Sequence, residues 1–466
     1  MKNLSSVNTD WLNPVLVKEV RQFFHNKLFL SLVGGLLGLQ LLLLFIFNLT
    51  FDDWKNGSDA GKIFIGIDTA LMYVCVFGIC AWGAMQRFCT ERSSKELDFS
   101  NITLLTPFQI VAGKLASTLV IWVLVAALCL PFMTVAYFFR NVTPGEILLT
   151  FGIGIIPMLI VIQAALFCGA LGKKWAQAIF IYFCFQLVPF LVGVAWASLF
   201  EPKAKWEIFW FIQGGGAVMF LILFSATVEL ITPPFANRMF VLRLLLVILM
   251  IPVLAVMPWI KGFKQDVLLM IGCFPLGIFG ILALLNCCDR DEPGGRVLAR
   301  VPRNIIGRIF HYLLSSNRTG GVILGLLLLA VFGVTMAILG CFYSKTLIMI
   351  AFGVGAYALL YSELAIILHR AIPQIPGWVL FIIVFIMLGC MPMLLCLEKN
   401  TQAYDIFVSP FSLFNVQGEP RIFDYHFWIA PAAAFLAGVP FIAQMILTFK
   451  DYRAPEPGRE NEIQGR

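Results

Sequence analysis

A chain of 466 residues with 60% hydrophobic residues, 13% charged residues and a mean hydropathy of +0.90 carries more apolar surface than one water-soluble fold of that size can hide. The net charge of +7 requires no nucleic-acid partner, because basic residues gathered on one side of a bilayer face anionic lipid. Cys75, Cys129, Cys168, Cys184, Cys273 and Cys390 lie inside apolar runs and the four histidines are scattered, so no disulfide framework, metal site or cofactor is expected.

In chain order, the first element predicted is an amphipathic helix within residues 1–27. Leu12, Val15, Leu16, Val20, Phe23 and Phe24 recur at helical spacing, with Lys18, Glu19, Arg21, Gln22 and His25 largely away from that stripe. Asn13 suits the cap and Pro14 the first helical position, so the segment reads as a basic helix lying in the membrane interface. Leu28 to Leu49 follows, 22 residues without a charge, long enough at ~1.5 Å per residue to cross the ~30 Å hydrocarbon core. Further apolar runs lie at about 63–86, 115–139, 146–171, 176–200, 208–229, 241–260, 267–287, 321–342, 346–368, 377–397 and 427–449. Lipid leaves no unpaired backbone polar group satisfied, so these runs predict an all-α polytopic bundle of about twelve spans.

Orientation follows from the cations. With the N-terminus inside, inward segments hold 23 Lys and Arg and outward ones 10, the sum being the 33 of the whole chain. Both termini are therefore expected in the cytoplasm. The basic loop 288–320 (Arg290, Arg296, Arg300, Arg303, Arg308, Arg318) is the best single anchor of that topology, and 450–466 is a polar cytoplasmic tail. Within 301–320, Ile305, Ile306, Ile309, Phe310, Leu313 and Leu314 suggest a second interfacial helix ahead of a Gly-rich span. Gly34 with Gly38, and Gly321 with Gly325, have the small-residue spacing that permits close helix approach.

The loop at 87–114 is richer than topology demands. It opens with Glu91-Arg92, passes through Leu97, Leu104 and Leu105, and restarts a helix at Thr106-Pro107, where Thr caps and Pro begins the turn. Apolar residues on such a loop require a protein or lipid surface to cover them.

The Asn-Pro helix before span one, joined with Glu-Arg through Leu-Leu-Thr-Pro to Gly-Lys between spans two and three, resembles the permease subunits of bacterial type-2 ATP-binding-cassette transporters. Thr232-Pro233-Pro234-Phe235 looks like the end of a six-span module, and the resemblance covers about residues 11–243. It implies an "elbow" helix (Asn13, Pro14, Lys18, Glu19, Arg21) and a coupling helix on which Glu91, Arg92, Leu97, Leu104, Leu105, Thr106 and Pro107 dock a separate ATPase subunit. It also implies residence in the inner membrane of a bacterium, export as the direction of transport, and a homodimer or second permease as a further partner. The chain departs from the pattern after 243: six further spans at 244–449 do not repeat the module at 28–243.

No Gly-x-x-x-x-Gly-Lys-Ser/Thr motif is present; Gly172-Lys173-Lys174 lacks both the first glycine and the hydroxyl residue, so ATP hydrolysis is not expected of this chain. Asp68, Glu229 and Glu363 fall inside apolar runs and are candidates for function, but their places near span ends favour a structural role. Gln40, Gln163, Gln186 and Gln444 are expected to bond between helices. The readings left open are an exporter permease, an ATPase-independent membrane scaffold and an enzyme acting on lipid-linked substrates. The last lacks any acid/base pair or metal cluster in the sequence.

Overall fold

The computed structural model describes residues 13–25, 27–50, 60–93, 105–135, 137, 142–174, 176–178, 180–181, 184, 205–233, 237–256, 265–289, 295–338, 346–390, 425–449 and 452–453, and every regular element among them is helical. Leu97, Leu104 and Gln186 lie outside the described residues. Two compact units divide the chain, Met1–Thr232 and Pro233–Arg466.

The first unit begins with α1 (Pro14–Phe24), capped as its sequence suggests: the Asn13 Oδ1 accepts from the Val15 N–H at 3.0 Å and Pro14 opens the first turn. α2 (Lys27–Thr50) follows, then α3 (Ala60–Cys75), which passes through a π-helical turn (Val76–Ala81) into α4 (Trp82–Ser93). The uninterrupted stretch 60–93 is roughly 50 Å long, more than the ~30 Å hydrocarbon core needs. α5 (Pro107–Val135), α6 (Pro144–Leu171) and α7 (Lys205–Ile231) complete the described helices of this unit. A reciprocal cap between Thr143 and Glu146 starts α6, and Gly172 at φ 66° ends it in the left-handed conformation that a side chain disfavours. Phe64, Tyr73, Met85, Ile121 and Val161 are buried together, while Leu41, Leu42, Phe45, Ile46 and Leu49 of α2 face outward, the distribution expected where lipid replaces water.

The second unit contains α8 (Phe240–Val256), α9 (Gln265–Cys288), the short α10 (Gly295–Leu298), α11 (Ile305–Leu314), α12 (Arg318–Ile338), α13 (Thr346–Ala371), α14 (Gly377–Val384) running into a second π-helical turn (Phe385–Cys390), and α15 (Tyr425–Thr448). Of the two glycine pairs, Gly325 meets Leu359 and Leu282, and a Cβ on Gly321 would overlap the Arg243 and Asn286 side chains; nothing described lies within 4 Å of a Cβ built on Gly34 or Gly38. At the root of α15, Tyr312 packs edge-on against Phe449 and Tyr452, with ring centroids 6.1 and 4.9 Å away, and the His311 Nδ1 lies 2.8 Å from the Tyr452 hydroxyl.

Partial burial holds the His311 imidazole below its ordinary value of 6.5, so the unfolded chain binds more protons once the pH falls through that value. Stability at this anchor is therefore full above pH 6.5 and declines as the pH falls below it. Amides 308–314 and 445–453 are expected to exchange faster below that pH, a change that His311→Asn abolishes.

Among the described residues, six helices are long and apolar enough to cross a membrane: Pro107–Val135, Pro144–Leu171, Gln213–Ile231, Arg318–Ile338, Ala351–Ala371 and Trp428–Thr448. The protein is thus an all-helical, multi-pass membrane protein. Shorter apolar helices among the described residues, Val33–Leu49, Phe240–Ala255, Phe274–Cys288 and Gly377–Leu388, coincide with four further runs of the sequence.

Candidate functional site

The first unit gathers charge where α1, α4 and α5 meet. Glu19 on α1 is 4% exposed and Lys114 on α5 is 5% exposed, and the Lys114 Nζ lies 2.5 Å from the Glu19 Oε1. The same ammonium lies 2.7 Å from the Glu91 Oε2 of α4 and 4.9 Å above the Phe88 ring. Arg87 approaches the Glu19 Oε2 at 3.8 Å and Lys18 approaches the Glu91 Oε1 at 3.9 Å. Three cations thus surround two carboxylates, each buried charge meeting an opposite one as low dielectric requires.

Backbone contacts seat this cluster. The Asn13 Nδ2 donates to the Gln109 carbonyl at 2.6 Å, and Gly113 permits the approach, since a Cβ there would come within 2.8 Å of the Val15 Cβ. Thr106 and Gln109 form the reciprocal cap that starts α5: the Thr106 N–H donates to the Gln109 Oε1 at 2.9 Å, and the Gln109 N–H to the Thr106 Oγ1 at 3.3 Å. Arg92 turns the other way. Its Nη1 donates to the Leu230 carbonyl at 3.4 Å, and its methylenes lie over Gly172, so it holds the ends of α6 and α7.

The elbow and the two flanks of the 94–104 segment therefore form one assembly. Asn13, Pro14, Lys18, Glu19, Glu91, Thr106 and Pro107 are brought to it, whereas Arg92 is directed to the ends of α6 and α7; Leu105 is half-buried and Arg21 is exposed on α1. An apolar layer containing Phe88, Val111, Leu166 and Ile231 packs beside it.

Protein-family models, curated proteins and solved structures yield no match to this chain. The reading of the site accordingly rests on its own geometry and on the sequence.

The acids inside the apolar runs are buried among helices. Asp68 is fully buried and accepts from the Gln40 Nε2 at 3.1 Å. Glu229 is buried toward the end of α7. Glu363 is 1% exposed, and neither carboxyl oxygen has a hydrogen-bond partner among the described residues. The neighbouring His369 and Arg370 have other partners: the His369 Nδ1 meets the Ile375 carbonyl at 2.7 Å, and the Arg370 Nη2 donates to the Gln444 Oε1 at 2.9 Å. The glutamines do bridge helices, Gln163 donating to the Thr227 Oγ1 at 2.8 Å. Because the Glu363 carboxyl makes no bond that a replacement would lose, Glu363→Leu is expected to leave the thermal midpoint in detergent unchanged or raise it. A fall of several degrees would assign the carboxyl a structural partner.

Sequence reasoning missed Arg243 of α8. It is fully buried; the Nη2 donates to the Asp289 Oδ2 at 2.7 Å and to the Asn317 carbonyl at 3.1 Å, and the Nη1 donates to the Leu313 carbonyl at 3.3 Å and to the Ser315 carbonyl. Its signal was available: a guanidinium inside the apolar run 241–260 demands buried acceptors. Among the described residues, no group of three or more His, Cys, Asp or Glu is placed to hold a metal ion.

Proposed function

We propose that this protein is the membrane-spanning permease subunit of an ATP-binding-cassette exporter, powered by a separate ATPase subunit that docks on the 94–104 segment and its flanks. In this reading the chain crosses the inner membrane of a bacterium twelve times with both ends in the cytoplasm, as the distribution of Lys and Arg indicates. ATP is hydrolysed on the partner, because the phosphate-cradling motif is missing here.

One observation carries the reading: Lys114 bonds to Glu19 of the elbow and to Glu91 at the edge of the loop at once, at 2.5 and 2.7 Å. Buried ion pairs are a costly way to fasten a helix, since their attraction is largely offset by desolvation. They suit a joint that must hold one register and pass a displacement on. An ATPase closing against the loop would pull Glu91, and through Lys114 the elbow and span three would follow.

Replacing Leu104 and Leu105 by Asp places two charges on the surface expected to meet an apolar groove. The double variant is expected to lose an ATPase subunit that co-purifies with the wild type in mild detergent, while its thermal midpoint in the absence of nucleotide stays unchanged. Retention of the ATPase would refute the docking assignment. A wild-type chain that captures another membrane complex and no ATPase would favour the scaffold reading.

A further inference from the structure

In the second unit, α11 has one face with no cover among the described residues. Ile305, Ile306, Ile309 and Phe310 are 66, 72, 37 and 62% exposed, whereas Tyr312, Leu313 and Leu314 at its end are buried. An exposed patch of large aliphatic and aromatic side chains requires an occupant.

Three observations identify that occupant as lipid. The first is place: α12, long and apolar enough to span, starts at Arg318, directly after α11 ends at Leu314. The second is anchorage at the end of another span. Tyr312 and His311 hold Tyr452, and the Arg308 guanidinium sits 5.5 Å above the Phe449 ring, just past the end of α15 at Thr448. Two span ends thus fix α11 at the level where hydrocarbon gives way to headgroups. The third is charge: residues 293–320 contain Arg296, Arg300, Arg303, Arg308 and Arg318 and no Asp or Glu. Arg300 and Arg303 are exposed and Arg308 partly so, the cations an anionic leaflet attracts.

We infer that α11 is an anionic-lipid-binding helix, with Ile305, Ile306, Ile309 and Phe310 entering the acyl boundary and Arg300, Arg303 and Arg308 meeting headgroup phosphates. The site is independent of the ATPase reading, since all its residues belong to the second unit.

Hydrogen exchange of the full chain in nanodiscs tests it. Peptides covering 303–314 are expected to exchange more slowly in phosphatidylcholine with phosphatidylglycerol than in phosphatidylcholine alone. The gain is about fivefold for each arginine engaged, and added salt reverses it. Arg300→Gln with Arg303→Gln removes the phosphatidylglycerol dependence. Ile306→Ser with Phe310→Ser removes the protection in both lipids, and unchanged exchange across 351–371 certifies the fold of each variant. Equal exchange in the two lipids overturns the inference. So does protection that soluble polyglutamate confers and phosphatidylglycerol does not, which would mark an acidic protein partner instead.

Discussion

Lys114→Met is expected to separate the elbow from the first unit. The substitution takes from Glu19, 4% exposed, its closest charge partner among the described residues, leaving Arg87 at 3.8 Å, and takes from Glu91 a contact at 2.7 Å. Removing one partner of a buried pair costs about 3–5 kcal/mol, because the other charge stays desolvated. The lower part of that range applies here, since the Glu91 side chain is 19% exposed and keeps contact with water. The loss is read as a lowered thermal midpoint and as faster exchange confined to amides 14–24 and 105–118. Adding Glu19→Gln removes the stranded charge, and the double variant is expected to recover most of the midpoint. A double variant no better than the single one would show that Lys114 acts by packing over Phe88 alone.

Arg243→Leu is expected to be at least as damaging in the second unit. It removes the guanidinium 2.7 Å from the carboxylate of Asp289, which is 4% exposed, and the donor to the carbonyls of Leu313, Ser315 and Asn317 at the turn between α11 and α12. Both losses are buried, so the expected cost is about 3–5 kcal/mol. Arg243→Lys preserves the charge but not the planar fork that reaches several acceptors, and it should fall between wild type and Arg243→Leu. Adding Asp289→Asn to Arg243→Leu should recover only the part due to the carboxylate, because the guanidinium bonds to the three carbonyls are not restored. The thermal midpoint and the exchange of amides 311–321 measure both effects.

What was legible in the sequence is what depends on neighbouring residues. The start of α1 follows from Asn13 and Pro14, the restart of α5 from Thr106 and Pro107, and the helices that cross lipid from unbroken apolar runs. The Glu19–Lys114 pair was not legible, because the partners are 95 positions apart and no local periodicity records which cation a carboxylate will meet. The π-helical turns at Val76–Ala81 and Phe385–Cys390 interrupt ordinary apolar sequence without Pro to mark them. The helix partners of Asp68 and Glu363 were not legible either, because burial is decided by neighbouring helices: Gln40 on α2 faces Asp68, and Gly438 on α15 lies beside the Glu363 carboxyl. Arg92 was expected to face the ATPase, and its guanidinium also fastens the end of α7.

If an ATPase acts on the spans through the joint of α1, α4 and α5, hydrogen exchange of the co-purified complex with and without trapped ATP will show it. Amides 14–24 and 105–118 are expected to change protection together on ATP trapping, and Glu19→Gln with Lys114→Met to uncouple the two segments while the ATPase stays bound. ATP trapping that alters neither segment, or alters both equally in the double variant, would contradict it.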